Sequence, residues 1–221
     1  MEVVMILSNE TIEILKNFST INPTLLVRPG NVLKTIAPKR NILASAKIKE
    51  EFPSEFAIGD LTKFIMILSS YSNPELEFEE KHISINEKNF KTRFLYGGNA
   101  SVTHPPSKDV TFPNIEATFT VSNEALTKIL RLSSGLHLPN IVLTGRNGKS
   151  YFSGTDVSQD ISDNTEYEVG ISDTDYKAVF ELENMKVIAR DYDVKVTSGM
   201  AHFKSTKDDV EYWIACSNPK K

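Results

Sequence analysis

The segment Ser122-Asn-Glu-Ala-Leu-Thr-Lys-Ile-Leu-Arg-Leu-Ser-Ser134 occurs in two versions, and this doubling constrains the fold more than any other feature of the chain. Its partner, Ser8-Asn-Glu-Thr-Ile-Glu-Ile-Leu-Lys-Asn-Phe-Ser19, begins 114 positions earlier. Both open on Ser-Asn-Glu: a serine suited to cap a helix N-terminus, then an acid in the first turn where it favours the helix dipole. Ile12, Leu15 and Phe18 align with Leu126, Ile129 and Leu132. Two related helices half a chain apart imply two similar domains in tandem, and 221 residues can form one large domain or two small ones.

A second repeat supports the first. Phe56-Ala-Ile-Gly-Asp-Leu61 matches Phe180-Glu-Leu-Glu-Asn-Met185 as a phenylalanine, an aliphatic, an Asp or Asn cap and another aliphatic. Each is expected to lead from a strand into a helix, Leu61–Ser70 in one half and a helix from Met185 in the other. Short β-type runs separate these elements, and three runs follow each second helix. Both halves therefore read as helix, strands, helix, three strands. This is an α+β chain with helices on one face of antiparallel sheets. The aperiodic, turn-rich stretch Gly97–Asp109 marks the division. The expected organisation is an N-terminal domain over 1–98, a connector over 99–115 and a C-terminal domain over 116–221.

On helical wheels the charges separate from the core side. Leu126, Ile129, Leu130 and Ser133 form one face of the third helix, with Lys128 and Arg131 opposite. In the fourth, Met185, Ile188 and Ala189 are expected to pack inward while Lys186 and Arg190 point away. Lys63 in the second helix and Lys16 in the first also sit off the apolar stripe. Acids in these helices cluster at the N-termini, so beyond the first turn the charges are mainly basic, Glu13 excepted. Any one such residue is explained by solubility; the recurrence in four helices suggests a mildly positive surface suited to phosphate backbones. The net charge of −4 places no basic excess elsewhere.

Several chemistries lack their residues. Gly145-Arg-Asn-Gly-Lys-Ser150 looks like the end of a phosphate-binding loop, but the glycine required five positions before Gly148 is Leu143, and Ser150-Tyr-Phe152 reads as a strand. Asn147-Gly148 between two β runs is a hairpin turn. The four histidines are scattered, without metal-ligand spacing. The single cysteine, Cys216, rules out an internal disulfide framework, fits a reducing compartment and reads as a small core residue. The opening Met1–Leu7 lacks the basic flank of a signal peptide. No catalytic constellation, metal site or cofactor motif is expected.

The stretch Leu7–Asn22 closely resembles the N-terminus of the DNA polymerase sliding clamps of T-even-type bacteriophages. Ile129-Leu-Arg-Leu-Ser-Ser-Gly-Leu136 resembles the first helix of their second domain, and Asn184-Met-Lys186 the start of its second helix. The similarity extends thinly over nearly the whole chain in matching order; Met1-Glu-Val-Val stands as an extension, with Met5 as an alternative start. Ser134 stands where another basic residue is expected. The resemblance implies a non-enzymatic processivity factor: three copies in a closed ring of six similar domains, with helices lining a hole through which duplex DNA passes. It implies as partners the replicative DNA polymerase, an ATP-driven clamp loader and factors of late transcription, in the cytoplasm of an infected bacterial host. It makes Lys16, Lys63, Lys128, Arg131, Lys186 and Arg190 the DNA-facing candidates. A partner-peptide pocket near the connector would draw on Val110, Phe112, Leu136, Trp213 and Ile214. Subunits would join through strand edges, Phe90–Tyr96 against Tyr167–Ile171. The competing expectations are a viral structural or assembly protein that associates through the same edges, and, on Gly145–Ser150 alone, a nucleotide-binding enzyme.

Overall fold

The computed structural model describes residues 4–98, 102–106, 110–111 and 114–217. The chain divides into two compact units, Met1–Pro106 and Ser107–Lys221. Residues 99–101, 107–109 and 112–113 of the expected connector, 99–115, fall outside the described residues.

In the first unit, β1 (Val4–Met5) precedes α1 (Asn9–Ile21), β2 (Leu25–Val27), β3 (Gly30–Ile36), β4 (Ile42–Phe52) and β5 (Phe56–Ile58). Then come α2 (Leu61–Ser69), β6 (Glu75–Phe78), β7 (His82–Glu87) and β8 (Phe90–Leu95). Strands β1, β6, β7 and β8 form one antiparallel sheet in that order. β3 pairs with β4, and β2 with β5. Serine and aspartate start the helices as the sequence indicates. Ser8 Oγ accepts the N–H of Thr11 at 3.3 Å, and Asp60 Oδ1 that of Lys63 at 2.8 Å; each such cap contributes about 1 kcal/mol. The Glu50 carboxylate of β4 fastens the start of α1 by accepting from the Ser8 N–H and the Thr11 hydroxyl. Burial alone would raise the pKa of Glu50, but these donors outweigh it and hold the group below its ordinary value. Phe52, Phe56, Phe78 and Tyr96 fill the core with ring centroids 4.9–5.8 Å apart.

The second unit repeats the order. β9 (Ala117–Val121) leads into α3 (Asn123–Gly135), β10 (Asn140–Arg146), β11 (Lys149–Thr155), β12 (Thr165–Ile171) and β13 (Tyr176–Glu181). After one turn of 3₁₀ helix at Leu182–Asn184 come β14 (Tyr192–Val196), β15 (Met200–Ser205) and β16 (Val210–Ala215). One antiparallel sheet runs β12-β11-β10-β13; in another, β14 lies between β9 and β15, and β15 pairs with β16. Asn147 (φ 53°) and Gly148 (φ 77°) form the β10–β11 turn, the left-handed pair that a two-residue hairpin needs.

One expected element is absent. The fourth helix is replaced by the 3₁₀ turn and an irregular run to Asp191. Segment 182–191 is six residues shorter than its counterpart 59–74, too short for both a two-turn helix and its exit. Met185 and Ile188 are buried as expected, but Ala189 is exposed. The loss also changes α3. In the first unit α1 packs on β3, β4 and α2, burying Thr11, Ile14, Leu15, Phe18 and Ile21. In the second unit α3 packs on β11, β12 and the 3₁₀ turn, with no second α-helix beside it among the described residues, and it buries only Ala125, Leu126, Ile129 and Ser133. At 100° per residue its buried face is turned by roughly 80° from that of α1. Thus Lys128 can occupy the position of buried Ile14, and Leu132, the counterpart of Phe18, is 40% exposed. Leu130, expected on the buried face, is only half-buried.

The seat of α3 is a contact of backbone with side chain. The Ser133 hydroxyl donates to Ile129 O at 2.7 Å, and a Cβ at Gly154 of β11 would fall 1.9 Å from Ser133 Oγ. Only glycine lets the helix lie this close. Gly154→Ala is expected to lower stability by about 1–3 kcal/mol through overpacking, a fall in Tm of roughly 2–10 °C for a chain this size. Thermal unfolding followed by circular dichroism measures it, and an unchanged Tm would contradict the contact.

Candidate nucleic-acid interface

With the apolar side of each helix turned to its sheet, the opposite side faces solvent. Lys16 on α1, Lys63 on α2, and Lys128 and Arg131 on α3 are all exposed. Among the described residues none of the four forms an ion pair, so their charges are not neutralised within the protomer. The helical acids are engaged elsewhere or sit at caps: Glu10 reaches Lys49 of β4 at 2.8 Å, and Asp60 caps α2. The exposed cations of α1 and α2 in the first unit, and those of α3 in the second, are each of a kind that can meet phosphate oxygens without reading sequence.

The other two cationic candidates differ. Lys186 is half-buried on the irregular segment after the 3₁₀ turn. Arg190 folds back, its Nε donating to Asp208 Oδ2 at 3.0 Å, with both side chains about four-fifths buried (20% and 18% exposed). This ion pair ties the segment before β14 to the β15–β16 turn, so the expectation of a solvent-facing Arg190 is corrected. Its cause is the missing helix, which would have carried the residue outward.

The candidate pocket residues that the structure describes differ in their settings. Ile214 is fully buried in β16, and Trp213 beside it faces the other way, as strand alternation requires. Leu136 is 40% exposed at the end of α3, Val110 is half-buried, and Phe112 lies outside the described residues. What the sequence analysis missed is the company that Trp213 keeps. Its ring stacks on His202 of β15, with centroids 4.8 Å apart and planes at 20°. His202 Nε2 lies 2.9 Å from Glu211 Oε2. The signal was the alternation of His202-Phe-Lys204 against Glu211-Tyr-Trp213, which puts all four polar or amphipathic side chains on the non-core face. Burial pushes the His202 pKa below its ordinary value, and the Lys195 and Lys204 charges add to that, against the pull of Glu211.

The Cys216 thiol is half-buried, and burial pushes its pKa up to about 11, which leaves it almost entirely protonated and unreactive at neutral pH. A groove of ≈ 250 Å³ lies between α3 and the edge strand β12, lined in part by Lys128, Leu132 and Tyr167. It holds no pairing of nucleophile and base.

The family models place this architecture. Residues 8–97 match the model described as DNA polymerase processivity factor, and residues 118–218 that of the gp45 sliding clamp, C terminal. The chain is 32% identical over 220 residues to the sliding clamp of Vibrio phage KVP40, covering 96% of this chain and 98% of that protein. The chain belongs to the sliding-clamp family of DNA polymerase processivity factors. It is 30% identical to the sliding clamp of Escherichia phage RB69, with 96% of each covered, and 30% identical to that of Enterobacteria phage T4, with 85% of each covered. The fold reaches further. The PCNA of A. fulgidus, solved with the C-terminal region of FEN-1, superimposes with a TM-score of 0.74 at 9% identity over the full length of both chains. The PCNA of Entamoeba histolytica gives 0.69 at 12% identity, covering 94% of this chain and 95% of its own. The two-domain clamp fold that the resemblance implies, in line with the duplicated helix, is the fold of this chain.

Because the folded state depresses the His202 pKa, its contribution favours the folded state above about pH 6.5 and is lost as pH falls through the depressed value. Tm is therefore expected to fall more steeply between pH 7 and 5 in the wild type than in His202→Gln. Equal slopes in scanning calorimetry would remove His202 from the acid response.

Proposed function

We propose that the chain is a non-enzymatic replication clamp acting as a closed homotrimer around duplex DNA, in the cytoplasm of an infected bacterial host. The observation that carries this reading is the set of exposed cations without ion-pair partners on three helices, in a chain of net charge −4. A protein that encircles its ligand has no need of tight contacts. Mild attraction to phosphates on one surface, with acids prevailing elsewhere, favours sliding over arrest. Lys16, Lys63, Lys128 and Arg131 face the DNA in this reading; Arg190 serves instead as a structural tie. Sheet edges support the oligomer. β8 ends one sheet of the first unit and β12 ends one of the second, and both carry exposed apolar side chains: Phe90 and Leu95, Tyr167 and Ile171. Unpaired, apolar edges of this kind call for a partner strand.

The tethered enzyme is the replicative polymerase. An ATP-driven loader opens or loads the ring, and late transcription draws on the same clamp. The A. fulgidus relative was solved with the C-terminal region of another protein, which supports docking of partner tails here too. Trp213, amphipathic and half-exposed, is the anchor this chain offers for one.

Two measurements test the reading. Equilibrium sedimentation is expected to give a trimer, and a monomer at every accessible concentration would overturn the ring. Lys128→Glu with Arg131→Glu is expected to leave the trimer intact. The same change should shorten polymerase processivity by on the order of tenfold, the effect of about 1.4 kcal/mol. Undiminished processivity would remove both residues from the DNA-facing set.

A further inference from the structure

The sheet β12-β11-β10-β13 buries Ile141, Leu143, Phe152 and Phe180 on the side of α3, where Gly154 meets Ser133. Strand alternation turns Val142, Thr144 and Arg146 of β10 the other way, with Ser153 of β11, Glu166 of β12 and Lys177 of β13. On that far side a hollow of ≈ 400 Å³ lies against the loop 156–164. The loop is fastened to the sheet by the Val157 N–H, which donates to Asn140 Oδ1 at 3.1 Å. Val142, only 3% exposed although it points away from the core, supplies an apolar floor. An apolar base with a few placed polar groups around it is the usual build of a binding site.

Two cations stand at the rim. Arg146 is locked in place: its guanidinium lies 4.2 Å from the ring centroid of Tyr151, and its Nη2 donates to both Glu166 oxygens at 2.7 and 2.8 Å. Its Nη1 donates to Thr144 Oγ1 at 3.2 Å. A guanidinium has five N–H donors, so these three bonds leave donors over, in a fork that loses little freedom when it takes another acceptor. Lys177, exposed and in register with Thr144, forms no ion pair among the described residues. The Arg146 guanidinium sits above β11 and Lys177 rises from β13, so the spacing of strands puts them about 10 Å apart. An extended chain that lowers one side chain toward Val142 turns its two neighbours outward, their Cα atoms about 7 Å apart. Acidic side chains at those two positions can span to both cations.

We propose that this hollow binds an acidic, extended peptide segment of a partner protein, with an aliphatic side chain on Val142 and flanking carboxylates at Lys177 and Arg146. Charge favours separate carboxylates over a polyanion. A nucleic-acid backbone would bring its phosphates against Glu166 and against Asp156, Asp160 and Asp163 of the loop, where like charges repel. The site lies wholly in the second unit and on the side of the sheet away from α3, so it does not depend on the ring and stays accessible when the cations of α3 are occupied.

The probe is a fluorescein-labelled octapeptide of alternating Glu and Val, titrated with the full chain and followed by fluorescence anisotropy. Saturable binding is expected, several-fold weaker in Lys177→Glu and in Arg146→Gln and unchanged in Lys47→Glu, which reverses an exposed lysine of the first unit. Circular dichroism confirms that each variant is folded. Absence of saturation at millimolar protein would overturn the site. An equal loss in Lys47→Glu would overturn it too, since the peptide would then be responding to overall charge. Inorganic phosphate that displaces the peptide at equal concentration would replace a peptide site by one for a free anion.

Discussion

Burial of one side of each helix against an antiparallel sheet decides where every other side chain of that helix points. Ile14, Leu15 and Phe18 hold α1 on its sheet, and Leu126, Ile129 and Ser133 hold α3, the latter at a distance only Gly154 permits. Once those faces are fixed, Lys16, Lys128 and Arg131 have no direction left but outward. Their exposure therefore follows from the packing, without any added device. Apolar burial at about 25 cal/mol per Å² far exceeds the strength of an exposed ion pair. The core thus sets the electrostatics, and a substitution that rotates a helix would redirect its cations along with its leucines.

Much of this was legible in the residues. Ser8, Asp60 and Ser122 announced the helix starts, and each caps as its chemistry indicates. Asn147-Gly148 gave the hairpin, because so few residues adopt two consecutive left-handed conformations. The repeat gave the order of elements, and the residues of Leu7–Asn22 and Ile129–Leu136 carried the family resemblance. The errors about the fourth helix share one origin. Asn184 reads as the cap of a fourth helix, but capping residues say nothing about how much chain remains before the next strand must begin, and segment 182–191 has too little. Periodicity then misassigned Ala189 and Arg190, since a helical wheel presumes the helix.

The pocket residues were illegible for a different reason. Trp213 and Ile214 are neighbours in sequence but lie on opposite faces of β16, and only the register of β15 with β16 shows that Trp213 belongs with His202 and Glu211. Side chains brought together by strand pairing carry no mark in a single stretch of sequence.

The shortened segment before β14 also bears on symmetry. Duplication by itself would make the two units interchangeable, and a ring of three chains would then present six equivalent helical walls. Among the described residues the second unit has one α-helix where the first has two, and the run in place of the other is tied down by Arg190 and Asp208. DNA threading three such copies would meet an environment that repeats three times per circuit rather than six. The passage would have an alternating texture, helix-rich then helix-poor, along which a duplex could find preferred tilts.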